Sequence, residues 1–388
     1  MASLIDCCCD IRLDSKADEP LHLQLKRQLI RRIREMPSNA ELQMPSERAL
    51  GQALKLNRDT IRHAYAELEN AGLVIRQMNN ARRITTNAKE LLTENYPVIG
   101  VVIPFLFSRY AAQKDSVRMQ YIGGIIDHSA ELGISTIMLQ LPPQNASREQ
   151  VDSFITERCS RLLGLIHLGD RCKKKDRVLS RILEYSGIPQ VFVAGYSDIP
   201  HVGSITASLD HGISQFCREL KKRGIRRIGL IDYFKPYPER QTIGCFHYSS
   251  WDRMAEFTAL MEKRGFELPA EWRLFWDKES GGVNWKPGQK TESPMPECFW
   301  CFSDEAAHAW IAILKKYGIK VPEQVGVVGF DGIEPNGPAS IRQPAYKLGA
   351  GAVDLLQEYY RNGMTEENRL RSLPTDFKPG FSFIMKNR

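Results

Sequence analysis

The clearest chemistry in this sequence lies in cations set one helical turn apart. Arg58 and Arg62 flank Thr60, a spacing that puts both guanidinium groups on one face of a helix. Ile61, Ala64, Tyr65 and Leu68 fall on its other side as an apolar stripe. Upstream, Ser46 is placed to cap a shorter helix, and Glu47 favours its positive end. Ala49, Leu50, Ala53 and Leu54 give that helix its own apolar face. Leu56 breaks the pattern, and Asn57 is a good cap for the helix that follows. Such a pair suits a DNA major groove, with arginines for guanine edges or phosphates and a hydroxyl for a phosphate. Gly72 closes the second helix, and residues 73–76 with 82–86 read as a hairpin that adds Arg82 and Arg83.

Charge agrees with that reading. From Pro20 to Thr86 there are 12 Lys or Arg against 6 Asp or Glu, so nearly all of the chain's net +7 is concentrated there. A local basic surface is the footprint of a polyanion partner. Catalytic signatures are missing from the sequence: no Gly-x-Ser-x-Gly elbow, no phosphate loop, no His-Glu-x-x-His, no Gly-x-Gly-x-x-Gly after a strand. No cofactor or metal site is expected. Cys7, Cys8 and Cys9 have no His or further Cys nearby, and Cys298 and Cys301 alternate along a strand, which favours packing over redox chemistry. Neither a signal peptide nor an apolar run of bilayer length is evident, so a cytoplasmic protein that makes no use of a membrane is expected.

Elements to position these groups follow in order. Residues 1–19 read as an unstructured leader. A helix is expected from Leu21 to Met36, with the paired helices and hairpin after it, and a polar linker spans 87–97. From Val98 the rhythm changes to alternating strands and helices. Strands are read near 98–103, 134–139, 163–168, 189–194, 203–207, 227–231, 298–302 and 325–330. Helices are read after 116 and over 148–159, 177–185, 210–223, 251–264 and 305–317. That order implies an α/β fold with parallel sheets covered on both faces. Its repetition implies two lobes with a ligand cleft between them. All six tryptophans fall between 251 and 310; most are expected to pack in core or loops, with one or two, led by Trp251, walling a pocket. Lys278 to Pro296 reads as a loop able to act as a lid.

Two resemblances organise these elements. Pro20 to Leu25, Pro45-Ser46-Glu47-Arg48, Asn57 to Arg62 and Leu68 to Leu73 resemble the winged helix-turn-helix of GntR-type bacterial regulators, here assigned residues 20–86. Pro97 to Val102, Gly187 to Val193, Gly224 to Leu230, Phe302 to Ala307, Gly326 to Asp331 and Arg342-Gln343-Pro344 resemble the LacI/GalR effector-binding and dimerisation domain, assigned 98–388, whose fold is periplasmic-binding-protein-like. The combination is similar to the arabinose repressor class. It implies a homodimeric repressor that binds double-stranded operator DNA and is controlled by a small-molecule effector, a sugar in most of the family. The DNA-contact candidates are Ser46, Arg48, Asn57, Arg58, Thr60, Arg62, Arg82 and Arg83. The effector candidates are Phe105, Trp251, Arg253, Ser303, Asp304 and Asp331. The alternative is an aminotransferase-like or other α/β enzyme fused to the same reader.

Overall fold

The head is built from three helices and a hairpin. Helix α1 (Leu21–Glu35), α2 (Glu47–Leu54) and α3 (Arg58–Asn70) precede strands β1 (Val74–Arg76) and β2 (Arg82–Ile84), which pair antiparallel with Ile75 opposite Arg83. Leu25, Leu29, Ile33, Leu50, Ile61, Ala64, Tyr65 and Leu68 form its buried core, so the apolar stripes read from the sequence meet one another. The computed structural model of the chain describes residues 11–15, 20–35, 43–77, 81–85, 88, 97–103, 117–159, 162–168, 177–197, 199–232, 246–277, 280–286, 288 and 291–383. Cys7 to Cys9, Phe105, most of the expected linker and the tip of the wing at 78–80 lie outside them.

Two α/β lobes follow. In the first, β3 (Val98–Ile103), β4 (Ser135–Gln140), β5 (Gly164–Leu168), β6 (Gln190–Val193), β8 (Val202–Ser208) and β16 (Leu370–Pro374) form one parallel sheet in the order β16-β8-β6-β5-β3-β4. Helices α4 (Val117–Glu131) and α10 (Ala345–Asn362) cover one face; α5 (Arg148–Phe154) and α6 (Arg177–Leu183) cover the other. The expected 148–159 helix changes to a π-helical turn at Ile155–Cys159. The second lobe contains β9 (Ile228–Asp232), β11 (Arg273–Asp277), β12 (Gly282–Val283), β13 (Cys298–Cys301), β14 (Gly326–Asp331), β15 (Ala339–Arg342) and β17 (Asp376–Lys378). The sheet order is β12-β11-β9-β13-β14-β15-β17, parallel except at its two edges. Helices α7 (Asp210–Lys222) and α8 (Ser249–Lys263) lie against one face and α9 (Asp304–Lys316) against the other. Strands β7 (Gly195–Ser197) and β10 (Phe246–Tyr248), one leaving each lobe, pair antiparallel.

Between the lobes the chain crosses three times: at Ser208-Leu209, at Gln343-Pro344 and at Thr375. Two crossings are stitched side by side. The Thr375 amide donates to Ser208 O at 3.0 Å, and its hydroxyl donates to the same oxygen at 2.9 Å. A Cβ on Gly212 would stand 2.6 Å from that hydroxyl, so glycine is what lets α7 approach the crossing.

Most of the tryptophans belong to the second lobe's interior. Trp272, Trp276, Trp300 and Trp310 are buried, and Trp300 stacks on Phe257 at 3.9 Å between centroids. Trp285 packs edge-on to Trp310. Trp251 lies in the first turn of α8, and its side chain lies outside the described residues. Near the end of the 278–296 segment, Ser293 is tied to its own lobe: Trp272 Nε1 donates to Ser293 O at 3.2 Å, and the Ser293 amide donates to Glu271 at 3.0 Å. Cys298 and Cys301 face opposite sides of the sheet, each with its thiol pushed up by burial. That placement leaves no disulfide between them.

Candidate DNA-reading face and effector cleft

The reading helix is held at both ends. Ser46 adopts an extended backbone, and its hydroxyl accepts from the Ala49 amide at 3.1 Å, starting α2. Lys55 turns left-handed at φ 55, and Asn57 caps α3 by accepting from the Asp59 amide at 3.2 Å. Each cap satisfies a donor that the helix leaves open, worth about 1 kcal/mol. A Cβ on Gly51 would lie 3.1 Å from Leu56 O, which accounts for glycine at the tight turn. Tyr65 OH donates to Pro45 O at 2.9 Å and ties α3 to the start of α2.

This frame leaves Arg48, Arg58, Arg62 and Arg83 exposed, with Thr60 half-buried among them. Arg58 Nε lies 3.0 Å and Arg62 Nε 3.8 Å from Glu47 Oε2. Burial opposes ionisation of Glu47, but hydrogen bonds from Arg58 and Arg82 outweigh it and hold its carboxyl below the usual range.

Arg82 is placed differently from the other arginines of this face. Expected to touch DNA, it is only 9% exposed. Its guanidinium donates to Glu47 Oε1 at 2.9 Å and to Glu69, and lies over the Tyr65 ring at 5.0 Å. It is a strut between wing and reading helix. Ser46 and Asn57, also expected at DNA, use their side-chain oxygens as helix caps.

In the cleft, Arg253 of α8 sends Nη1 to Phe302 O at 3.0 Å, and its guanidinium stacks 3.7 Å from the Phe330 centroid. Desolvation lowers its pKa, partly countered by the charge of Asp331. Asp331 ends β14 at φ 118, a strained conformation for a non-glycine residue. Desolvation raises its pKa, while Arg253 and Gln343 act the other way. Gln343, at the middle crossing, donates from Nε2 to Asp331 Oδ1 at 2.6 Å. Its Oε1 accepts from Tyr121 OH of the opposite lobe at 2.7 Å. Arg118 of α4 adds a second cation whose charge is felt at Asp331. Tyr121 and Arg118 escaped sequence reasoning, and Gln343 entered only as part of a motif; nothing in local spacing marks residues of α4 as neighbours of Asp331.

Ser303 and Asp304 are less available than expected. The Ser303 hydroxyl accepts from the Ala306 amide at 3.2 Å and caps α9. Asp304 is buried, and Oδ2 accepts from the Gly332 amide at 2.8 Å, fixing the turn that carries Asp331. Desolvation first, then the neighbouring Asp331, pushes its carboxyl up to about 7. Its Oδ1 has no hydrogen-bond partner among the described residues. A Cβ on Gly329 would fall 2.2 Å from that oxygen, so both residues are fixed by the same lack of space.

A basic helix-turn-helix with a wing, joined to a two-lobed α/β receptor, defines a class: the DNA-binding transcription regulators that carry an effector domain. Residues 21–84 match the family of bacterial regulatory proteins, gntR family, and residues 217–383 match the periplasmic binding protein-like domain. The chain is 23% identical over 310 residues to Catabolite control protein A of Staphylococcus aureus (strain Mu50), covering 76% of this chain and 83% of that one. It is 22% identical over 353 residues to the Arabinose metabolism transcriptional repressor of Geobacillus stearothermophilus, covering 87% and 90%. The crystal structure of the lac repressor dimer bound to operator and the anti-inducer ONPF shares its fold, with a TM-score of 0.53 and 18% identity over 76% of this chain and 97% of that one. The chain therefore joins a GntR-type winged helix-turn-helix to a LacI-type, periplasmic-binding-protein-like effector domain. It is a transcription regulator rather than an enzyme, and the aminotransferase-like alternative is set aside. Among the described residues no helix is long and apolar enough to cross a membrane.

Proposed function

We propose that this chain is a cytoplasmic repressor, active as a homodimer, whose hold on a two-fold operator is set by a sugar in the cleft. Arg48, Arg58, Thr60, Arg62 and Arg83 make the DNA contacts. Glu47 keeps Arg58 and Arg62 gathered on one face until phosphates or base edges replace it. Arg253 and Asp331 contact the effector. Their placement where the lobes meet, with each charge acting on the other's ionisation, is the observation that carries the sugar reading. A carboxylate accepts adjacent hydroxyls and a guanidinium donates to a hydroxyl or ring oxygen, and both groups are half-buried where the lobes meet. Two comparisons lend support: one relative is named for arabinose metabolism, and the lac repressor of similar fold was crystallised as a dimer with operator and a small molecule together. Effector and operator then influence each other through differential affinity for two lobe arrangements, a coupling of about 1–3 kcal/mol in typical systems.

Thermal-shift measurements on the full chain against pentoses, hexoses and disaccharides test this reading. A selective sugar should raise the unfolding temperature by mass action and change the affinity for the chain's own upstream DNA in a gel-shift titration. A flat response across the panel would remove the sugar, and no salt-sensitive DNA binding at all would remove the regulator.

A further inference from the structure

The head touches the first lobe at one end of α10, and the cleft lies at the other. Arg27 of α1 donates from Nη1 to Tyr359 O at 3.3 Å, and that nitrogen is 3.4 Å from where a Cβ on Gly363 would stand. Tyr359 O also accepts from the Gly363 amide at 2.9 Å. Tyr359 O is a carbonyl of the last turn of α10, the negative end of its dipole, where a cation is stabilised. A second approach lies alongside. Lys26 pairs with Glu67 of α3 at 2.9 Å, and Tyr185 of the first lobe has its pKa raised by burial and then by the charge of Glu67.

The opposite end of α10 starts at Ala345, one residue beyond the Pro344 cap that follows Gln343, the amide between Tyr121 and Asp331. The helix is 18 residues long, about 27 Å. It has little freedom to bend away from its neighbours. A Cβ on Gly124 would stand 2.0 Å from Tyr346 O, and one on Gly349 would stand 2.1 Å from Tyr121 O, so α4 and α10 touch backbone to backbone. At the far end the Tyr359 ring lies on Gly203, and its hydroxyl donates to Asn368 O at 2.8 Å. A displacement at Gln343 is therefore delivered to Tyr359 O rather than absorbed along the way.

We propose that α10 is a lever between cleft and head, with Arg27 as its grip on the DNA-reading domain. A ligand that rearranges Tyr121, Gln343 and Asp331 moves α10, and the Arg27 contact turns the head with it. The proposal rests on the cleft being the effector site, but not on the effector being a sugar.

Hydrogen–deuterium exchange on the full chain without ligand tests it, comparing wild type, Arg27→Ala, Arg27→Lys and Tyr121→Phe. Arg27→Ala should speed exchange at the Gly363 amide and along α1 about three- to tenfold, and Arg27→Lys should do so less. Equal exchange in wild type and Arg27→Ala overturns the docking. Tyr121→Phe, which removes one hydroxyl at the cleft, should change α1 exchange in the wild-type background and not in Arg27→Ala. No change at α1, or the same change in both backgrounds, overturns the lever. Gln343→Glu repeats the cleft perturbation in case Tyr121→Phe unfolds the lobe. Because no ligand is added, a failure of the sugar reading leaves every one of these outcomes interpretable.

Discussion

Tyr121 and Asp331 stand on opposite lobes and meet through one amide: Gln343 accepts from the phenol at 2.7 Å and donates to the carboxylate at 2.6 Å. The amide belongs to a segment that crosses between the lobes, so the contact between lobes and the candidate ligand carboxylate share a residue. Any molecule that engages Asp331 competes with, or reinforces, a bond that also sets the lobe arrangement.

Asp331→Ala should abolish stabilisation by the effector while leaving operator binding in its absence intact. Hydrogen bonds to a charged group contribute about 1.5–3 kcal/mol, so calorimetry with the sugar found by screening should show at least tenfold weaker binding. An unchanged affinity would remove Asp331 from the site.

Arg58→Ala should weaken operator binding by about 1–3 kcal/mol if the guanidinium reads a base. Effector affinity should stay the same. Arg83→Ala should instead weaken binding to all sequences evenly and reduce the salt slope by about 1. Fluorescence anisotropy at several salt concentrations separates the two.

Arg82→Ala should act through stability. It leaves Glu47 and Glu69 without their shared partner and strips the cation from Tyr65, a loss of about 1–3 kcal/mol for a largely buried pair. Chemical denaturation of the full chain should show the head unfolding earlier. Operator affinity measured well below that transition should fall far less than in Arg58→Ala; an equal fall would make Arg82 a DNA contact after all.

Asp304 predicts a pH dependence. Its carboxyl ionises near pH 4 in the unfolded chain and at about 7 in the folded one, so the folded state holds the proton more tightly between those values. Stability should decline as pH rises from about 4 to about 7. Asp304→Asn should flatten that decline in denaturant melts. A slope unchanged by the substitution would assign it to other groups.

The head was legible because its signals are local. Ser46 and Asn57 cap within three residues, and the stripe from Ile61 to Leu68 reads directly as a buried face. The role of Arg82 as a strut is not legible, because its two carboxylates lie 35 and 13 positions away and no pattern in sequence announces their convergence. Most parallel strands from Val98 to Phe330 are legible as apolar runs between helices; β11, which carries charge at both ends in Arg273 and Asp277, is not. The returning edge strands are not: β16 alternates in exposure and ends in proline, and β17 is three residues long. The tryptophans show the limit of composition. Their clustering offers a ligand wall to one or two at most, and four of them fill the second lobe's interior because that lobe's sheet carries large side chains on both faces.

The triple crossing has a consequence for how such a molecule can be recombined. Neither lobe is an unbroken segment of the gene, since β16 and α10 return to the first lobe after the second is largely complete. A swap of one lobe for a homologue's would demand several simultaneous exchanges, whereas the reader in front connects by a single thread and can be replaced in one. New operators are thus more easily acquired by this architecture than new halves of a receptor.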